Sequence, residues 1–208
     1  MPLITPDSPL YLASSNPGKL REFSAAALAR GIRVEPLPGF KSLPACIEDG
    51  NSFEENARKK ALHYSAFVSG AVFADDSGIS VDALGGAPGI FSARFAGPDA
   101  TDDENNRKLI EELREADSRS TRAAHYVCVI ALAHSGRILG VTEGRADGVI
   151  LDEPRGAGGF GYDPYFFYAP LGMTFAELQP DEKYAVSHRG RAFRQLLELI
   201  ENATAKSS

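Results

Sequence analysis

The first half of the chain alternates short apolar runs with longer helical ones, and the second half sets a two-residue turn between two β-forming runs. That order restricts the fold more than any single residue does. Residues 10–14 read as an apolar strand and residues 19–30 as a helix that Gly31 stops. Residues 33–36 form a short strand and 37–49 a loop. Ser52, with Glu55 three places on, is a capping box, so a second helix runs to about Val68. Residues 71–74 form a short buried strand ending at Asp75-Asp76-Ser77-Gly78, and residues 83–100 an irregular loop of Gly, Pro and small residues. A second capping box, Thr101 with Glu104, opens a helix to about Glu115. Residues 124–134 and 137–146 are strands on either side of the Ser135-Gly136 turn. A Gly-rich loop spans 154–164, and a last helix covers about 182–202, before a frayed tail at 203–208. Helices between the early strands and a hairpin late in the chain predict a mixed α/β sheet rather than a purely parallel one. No internal repeat or clean linker divides the chain, so residues 1–208 are read as a single domain.

Composition narrows the function classes. Hydrophobic residues make up 43% of the 208, enough for a packed core. With 22 Lys+Arg against 28 Asp+Glu the net charge is -6, which argues against a general nucleic-acid partner but not against a small phosphorylated ligand. The first 15 residues carry no basic n-region or long apolar run, and no stretch has the ~18 apolar residues of a membrane span. Cys46 and Cys128 are far apart and form no C-x-x-C, as in a reduced, cytoplasmic protein. His63, His125, His134 and His188 form no local zinc pattern.

Five stretches are richer in Gly, Asp and cations than packing requires. In SSNPGKLREF, starting at Ser14, a Gly-Lys pair lies between a strand and a helix. It is not a Walker A loop, which needs G-x-x-x-x-G-K-[ST]. It fits a different phosphate loop, with Gly18 allowing close approach, helix amides facing an anion and Lys19 adding charge. It equally fits a helix N-cap followed by a solvated lysine. In IEDGNSFEENARKKA, Glu48 and Asp49 precede the capped helix, and Lys60 lies one turn beyond Asn56 on the same side. In FADDSGISVDALGGAPGIFSARFAG, Asp75 and Asp76 close a buried strand, where α/β sheets place ligand sites, and hard oxygens suit Mg²⁺. A plain D-D-S-G turn is the other reading there.

In PRGAGGFGYDPYFF the glycines satisfy G-x-G-x-x-G, but an aromatic run follows instead of a helix, so a dinucleotide fingerprint is rejected. The loop either lays Phe160 or Tyr162 against a planar ligand with Asp163 as a polar anchor, or simply packs its aromatics. In EKYAVSHRGRAF, Lys183, His188 and Arg189 cluster where the last helix begins, or form an ordinary basic helix start.

Taken in order, SSNPGKLREF, EDGNSFEENARKKA, ADDSGISVDALGGAPGIFSARFAG, PRGAGGFGYDPYF and TFAELQPDEKYAVSHR resemble the Ham1-like (inosine triphosphate pyrophosphatase) family. One departure is Tyr184, where the family usually has Asn; Lys183 before it is kept. The resemblance implies an elongated α/β fold with a long mixed sheet, a central nucleotide cleft and a homodimer. It implies Mg²⁺-dependent hydrolysis of damaged purine nucleoside triphosphates (ITP, dITP, XTP) to the monophosphate and pyrophosphate. Residue by residue, it implies that Ser14, Ser15, Asn16, Pro17, Gly18 and Lys19 hold the triphosphate, with Ser77 beside them. Glu48 and Asp76 would hold Mg²⁺, with Asp75 as a helper. Asp76 would accept the proton of the attacking water, and Lys19 and Lys60 would stabilise phosphate charge. Phe160, Gly161, Tyr162 and Asp163 would receive the base by stacking and an edge contact. Lys183, His188 and Arg189 would donate to the carbonyl at purine position 6, and adenine's amino group would leave those donors unpaired. A Maf-like pyrophosphatase and a non-catalytic nucleotide sensor are the rival readings.

Overall fold

The computed structural model describes residues 9–116 and 121–205. Seven strands form one sheet: β1 (Leu10–Leu12), β2 (Val34–Pro36), β3 (Val72–Val81), β4 (Ala123–His134), β5 (Arg137–Ile150), β6 (Phe166–Tyr168) and β7 (Met173–Thr174). The helices are α1 (Pro17–Leu28), α2 (Phe53–Ser65), α3 (Asp102–Glu115), α4 (Pro180–Val186) and α5 (His188–Ala205). Across the sheet the order is β2-β1-β3-β4-β5-β6-β7. β1 is parallel to β2 and β3, and β6 is antiparallel to β5 and β7, so the sheet is mixed. No described helix is long and apolar enough to cross a membrane.

The described residues fall into two compact units of interleaved segments. The first takes the described residues within 1–76, Cys128–Gly144 and the described residues within 189–208, and the second the described residues within 77–127 and Arg145–His188. In the first unit, β1 is apolar because it is buried between two parallel neighbours. Pro17 opens α1, where a missing N–H is harmless. Gly31, at φ 68°, turns the chain after α1 through a left-handed conformation that favours glycine. Phe23, Phe73 and Phe193, from α1, β3 and α5, meet at centroid distances of 5.1, 4.7 and 5.5 Å and tie these elements together.

The second unit has its own core. Leu109, Ile110 and Leu113 line one stripe of α3 and join Ile79, Val81, Tyr126, Phe166 and Phe175. The capping box of α3 is complete: Glu104 N–H donates to Thr101 Oγ1, and Thr101 N–H donates to the Glu104 carboxylate.

The sequence reading contained no β6 or β7 and ended β5 at residue 146 instead of Ile150, and three further elements differ from it. The Ser52 box is half-formed: Ser52 Oγ accepts from Glu55 N–H, but the Glu55 carboxylate takes the N–H of Asn51 instead. β3 does not stop at Asp75-Asp76 but runs ten residues, Val72–Val81, through Asp-Asp-Ser-Gly. Neighbouring strands on both sides supply the ladder bonds that poor strand formers do not favour on their own. The last helix is two helices, α4 and α5, because Ser187 is extended at ψ 158°. Of the expected tail, residues 203–205 belong to α5 and 206–208 lie outside the described residues.

Candidate functional site

In the first unit the opening of α1 is a true N-cap. Asn16 Oδ1 accepts from the N–H groups of Gly18 (2.8 Å) and Lys19 (3.2 Å), and Ser14 Oγ accepts from Asn16 N–H. The cap therefore uses two amides that the sequence reading offered to an anion. Lys19 is not the solvated lysine of the alternative reading. Its Nζ lies 2.7 Å from Asp75 Oδ2, with 16% of the side chain exposed. Burial opposes the charge on Asp75, but Lys19, Arg189 and Lys60 outweigh it and hold the carboxyl below its ordinary range. Asp75 is thus the counter-charge that fixes Lys19. Ser15 and Pro17 are exposed at this turn, and Gly18 is buried.

A second cluster forms between the loop before α2, α2 itself and β3. Lys60 Nζ donates to Glu48 Oε2 (2.8 Å) and Asp76 Oδ1 (3.2 Å). One turn earlier, Asn56 uses both ends of its amide. Its Nδ2 donates to Asp76 Oδ2 (3.2 Å) and its Oδ1 accepts from Gly50 N–H (2.9 Å). Gly50 has to be small, since a Cβ there would sit 2.7 Å from Asn56 Oδ1. Burial pushes the Asp76 carboxyl up despite Lys60 and Asn56. Burial also works against the charge on Lys60, but Asp76, Asp75 and Glu48 overcome it and raise the lysine. Glu48 and Asp76 therefore aim oxygens at one point, where the Lys60 ammonium stands as a cation would. The pair fits a hard divalent ion. No group of three or more His, Cys, Asp and Glu side chains forms a ligand cage among the described residues, so the ion would keep water or take phosphate oxygens, as Mg²⁺ does.

In the second unit the Gly-rich loop is built around Asp163, which is 2% exposed. Its Oδ2 accepts from Phe160 N–H (2.9 Å) and Lys183 Nζ (2.7 Å), and Tyr126 donates its hydroxyl to Oδ1 (3.4 Å). Gly159 has φ 72°, and a Cβ there would collide with Asp163 Oδ2, so only glycine fits. Lys183 Nζ stands 4.8 Å from the centroid of the half-buried Phe160 ring. His188 lies flat on Tyr126, with centroids 4.4 Å apart and planes 5° apart. Tyr162 is placed in the core, not on the loop surface; it is 4% exposed and its hydroxyl donates to Ser92 O (2.7 Å). Phe160 is the ring that the loop keeps half-buried rather than in the core. Ser77, half-buried in β3, also belongs to this unit.

The structure thus brings Phe160, Asp163, Lys183 and His188 together, joined by Tyr126. Arg189, the next residue after His188, falls in the first unit. It is 4% exposed, and its Nη1 donates to Glu22 Oε2 on α1 at 2.7 Å. Burial opposes its charge, but Glu22 and Asp75 outweigh it, so the guanidinium stays charged. Glu22 and Tyr126 escaped the sequence reading because their contacts span 167 and 37 residues respectively. Asn56 left a local signal, one helical turn before Lys60.

Carboxylates converging on a lysine could hold a cation with a phosphate, and a glycine loop carrying an aromatic ring could take a planar group. The profile of the Ham1 family matches residues 10–199, and the chain belongs to that family. A dITP/XTP pyrophosphatase of Syntrophobacter fumaroxidans is 50% identical over 90% of this chain and 79% of that protein. One of Streptococcus pyogenes serotype M3 is 44% identical over 96% of this chain, which spans only 61% of that relative's length. A HAM1 protein structure from Coxiella burnetii superposes with a TM-score of 0.84 at 42% identity, covering 94% of this chain and 99% of that one.

Proposed function

We propose that this chain hydrolyses damaged purine nucleoside triphosphates (ITP, dITP, XTP) to the monophosphate and pyrophosphate. The observation that carries the reading is the convergence of Glu48 and Asp76 on Lys60 Nζ in a chain of the Ham1 family. The names of its dITP/XTP pyrophosphatase relatives support the choice of substrate.

Ser14, Ser15, Asn16, Pro17, Gly18 and Lys19 take the triphosphate. The Ser14 hydroxyl hydrogen is available because its oxygen, not its proton, serves the turn. Lys60, held here by the Glu48 and Asp76 carboxylates, would supply positive charge to a phosphate oxygen. Glu48 and Asp76 would hold Mg²⁺, which when bound neutralises charge on the departing pyrophosphate. Asp76 accepts a proton from the attacking water. The water oxygen bonds to the α-phosphorus, the α–β bridge bond breaks, and its electron pair leaves with pyrophosphate. Phe160 stacks on the base, with Gly161 closing the loop beside it and Tyr162 and Asp163 holding the loop from beneath. Lys183, His188 and Arg189 are the candidate donors for the position-6 carbonyl. Action as a cytoplasmic homodimer, without nucleic acid, belongs to the same reading.

Hydrolysis of dITP in ¹⁸O-labelled water tests the step. Label is expected in the monophosphate. Label in pyrophosphate would place the attack on the β-phosphorus and refute the assignment.

A further inference from the structure

The first turns of α3 face the glycine loop with two polar side chains that no step above uses. Gly161, at φ 63°, donates its N–H to Asp102 Oδ2 at 2.7 Å. Its carbonyl accepts from Asn106 Nδ2 at 2.9 Å. Asp102 and Asn106 are four residues apart, so they project from one face of the helix. Both polar groups of one peptide-bearing residue are therefore held by a single rigid element. The complete capping box anchors that element at Thr101 and Glu104. Asn105, the neighbour of Asn106, fastens the other side of the helix by accepting from Ala96 N–H at 2.8 Å.

Gly161 directly follows Phe160. The Phe160 N–H is held by Asp163, and the Phe160 ring lies beneath the Lys183 ammonium. With Asp163 on one side and the α3 pair on the other, the peptide flanking Phe160 is pinned at both ends. Loop packing alone would not call for this. Asn106 is 5% exposed, and burying an amide to grip one exposed-loop carbonyl is warranted where the loop's pose has a use. We propose that Asp102 and Asn106 are positioning residues for purine recognition: by gripping Gly161 they hold Phe160 in its stacking pose. The proposal rests on the reading of Phe160 as the base-stacking residue.

The test compares kcat and KM for ITP in F160A, N106D, D102A and D102N. N106D is equal in size and replaces the donor with an acceptor facing the Gly161 carbonyl; D102N keeps an acceptor oxygen. N106D and D102A are expected to raise KM about tenfold, with kcat within about twofold. D102N is expected to restore KM to near the parent value. The chain has no tryptophan, so F160W adds a single fluorophore at this position. Its quenching by ITP is expected to weaken when N106D is added. Unchanged KM in both N106D and D102A overturns the proposal, as does a parallel fall of kcat and thermal stability, which marks a merely structural clamp. If F160A itself leaves KM unchanged, the stacking reading fails and the proposal with it. If F160A raises KM while the α3 variants do not, only the clamp is wrong.

Discussion

At the residue scale Lys19 and Asp76 differ in what their replacement would report. Lys19 neutralises Asp75, whose side chain is 1% exposed. Breaking such a buried pair costs about 3–5 kcal/mol, so a Lys19 variant would lose stability together with activity. Asp76 is a cleaner probe. Asn is the same size and keeps one acceptor oxygen, enough for the Lys60 or the Asn56 contact but not both, while losing the proton acceptor. Asp76→Asn is expected to lower turnover at least about 10²–10⁴-fold, with ITP binding, measured by calorimetry, within about tenfold of the parent. Turnover like the parent's would remove Asp76 from the mechanism. Arg189→Ala tests base reading. The structure seats Arg189 against Glu22 on the same helix as Lys19. Loss of a charge-assisted donor is expected to narrow the ITP-over-ATP ratio of kcat/KM about tenfold or more. An unchanged ratio would mean the purine is discriminated without it.

At the element scale, what could be read in advance was what depends on near neighbours. The Thr101–Glu104 box, the Gly31 stop and the Ser135-Gly136 turn are settled within four residues, and all three are present. The course of β3 could not be read that way. Asp75, Asp76 and Gly78 are poor strand formers, and only strands distant in sequence keep them extended. The break at Ser187 had a faint signal, since Ser favours the residue before a helix, but the apolar spacing runs on across it. In the site, the loop before α2, α2 and Asp76 were legible as separate pieces. Their meeting at Lys60 Nζ, and the grip of Asp163 on the glycine loop, depend on tertiary packing. The loop yields its own prediction. Gly159→Ala puts a Cβ against Asp163 at a left-handed position, a strain of about 1–2 kcal/mol before any clash. The melting temperature is expected to fall and KM for ITP to rise; a variant matching the parent in both would show that Asp163 does not organise the loop.

At the scale of the whole molecule, the residues of the proposed reaction divide between the two compact units. The first holds Lys19, Glu48, Asn56, Lys60, Asp75 and Asp76, with Arg189 beside α1; the second holds Phe160, Asp163, Lys183 and His188. A phosphate-cleaving cluster alone would degrade the abundant ATP and GTP pools. The second cluster is what would exclude adenine, which presents a donor at position 6; guanine shares the carbonyl, so its refusal would rest on a different contact, to its 2-amino group. The most direct measurement supplies the purified chain with Mg²⁺ and, separately, ITP, dITP, XTP, GTP or ATP, and assays pyrophosphate and orthophosphate independently. Pyrophosphate with the monophosphate from ITP, dITP and XTP is expected, with little of either product from ATP and GTP. Orthophosphate as the product, or equal turnover of ATP, would contradict the proposed reaction and the proposed selectivity respectively.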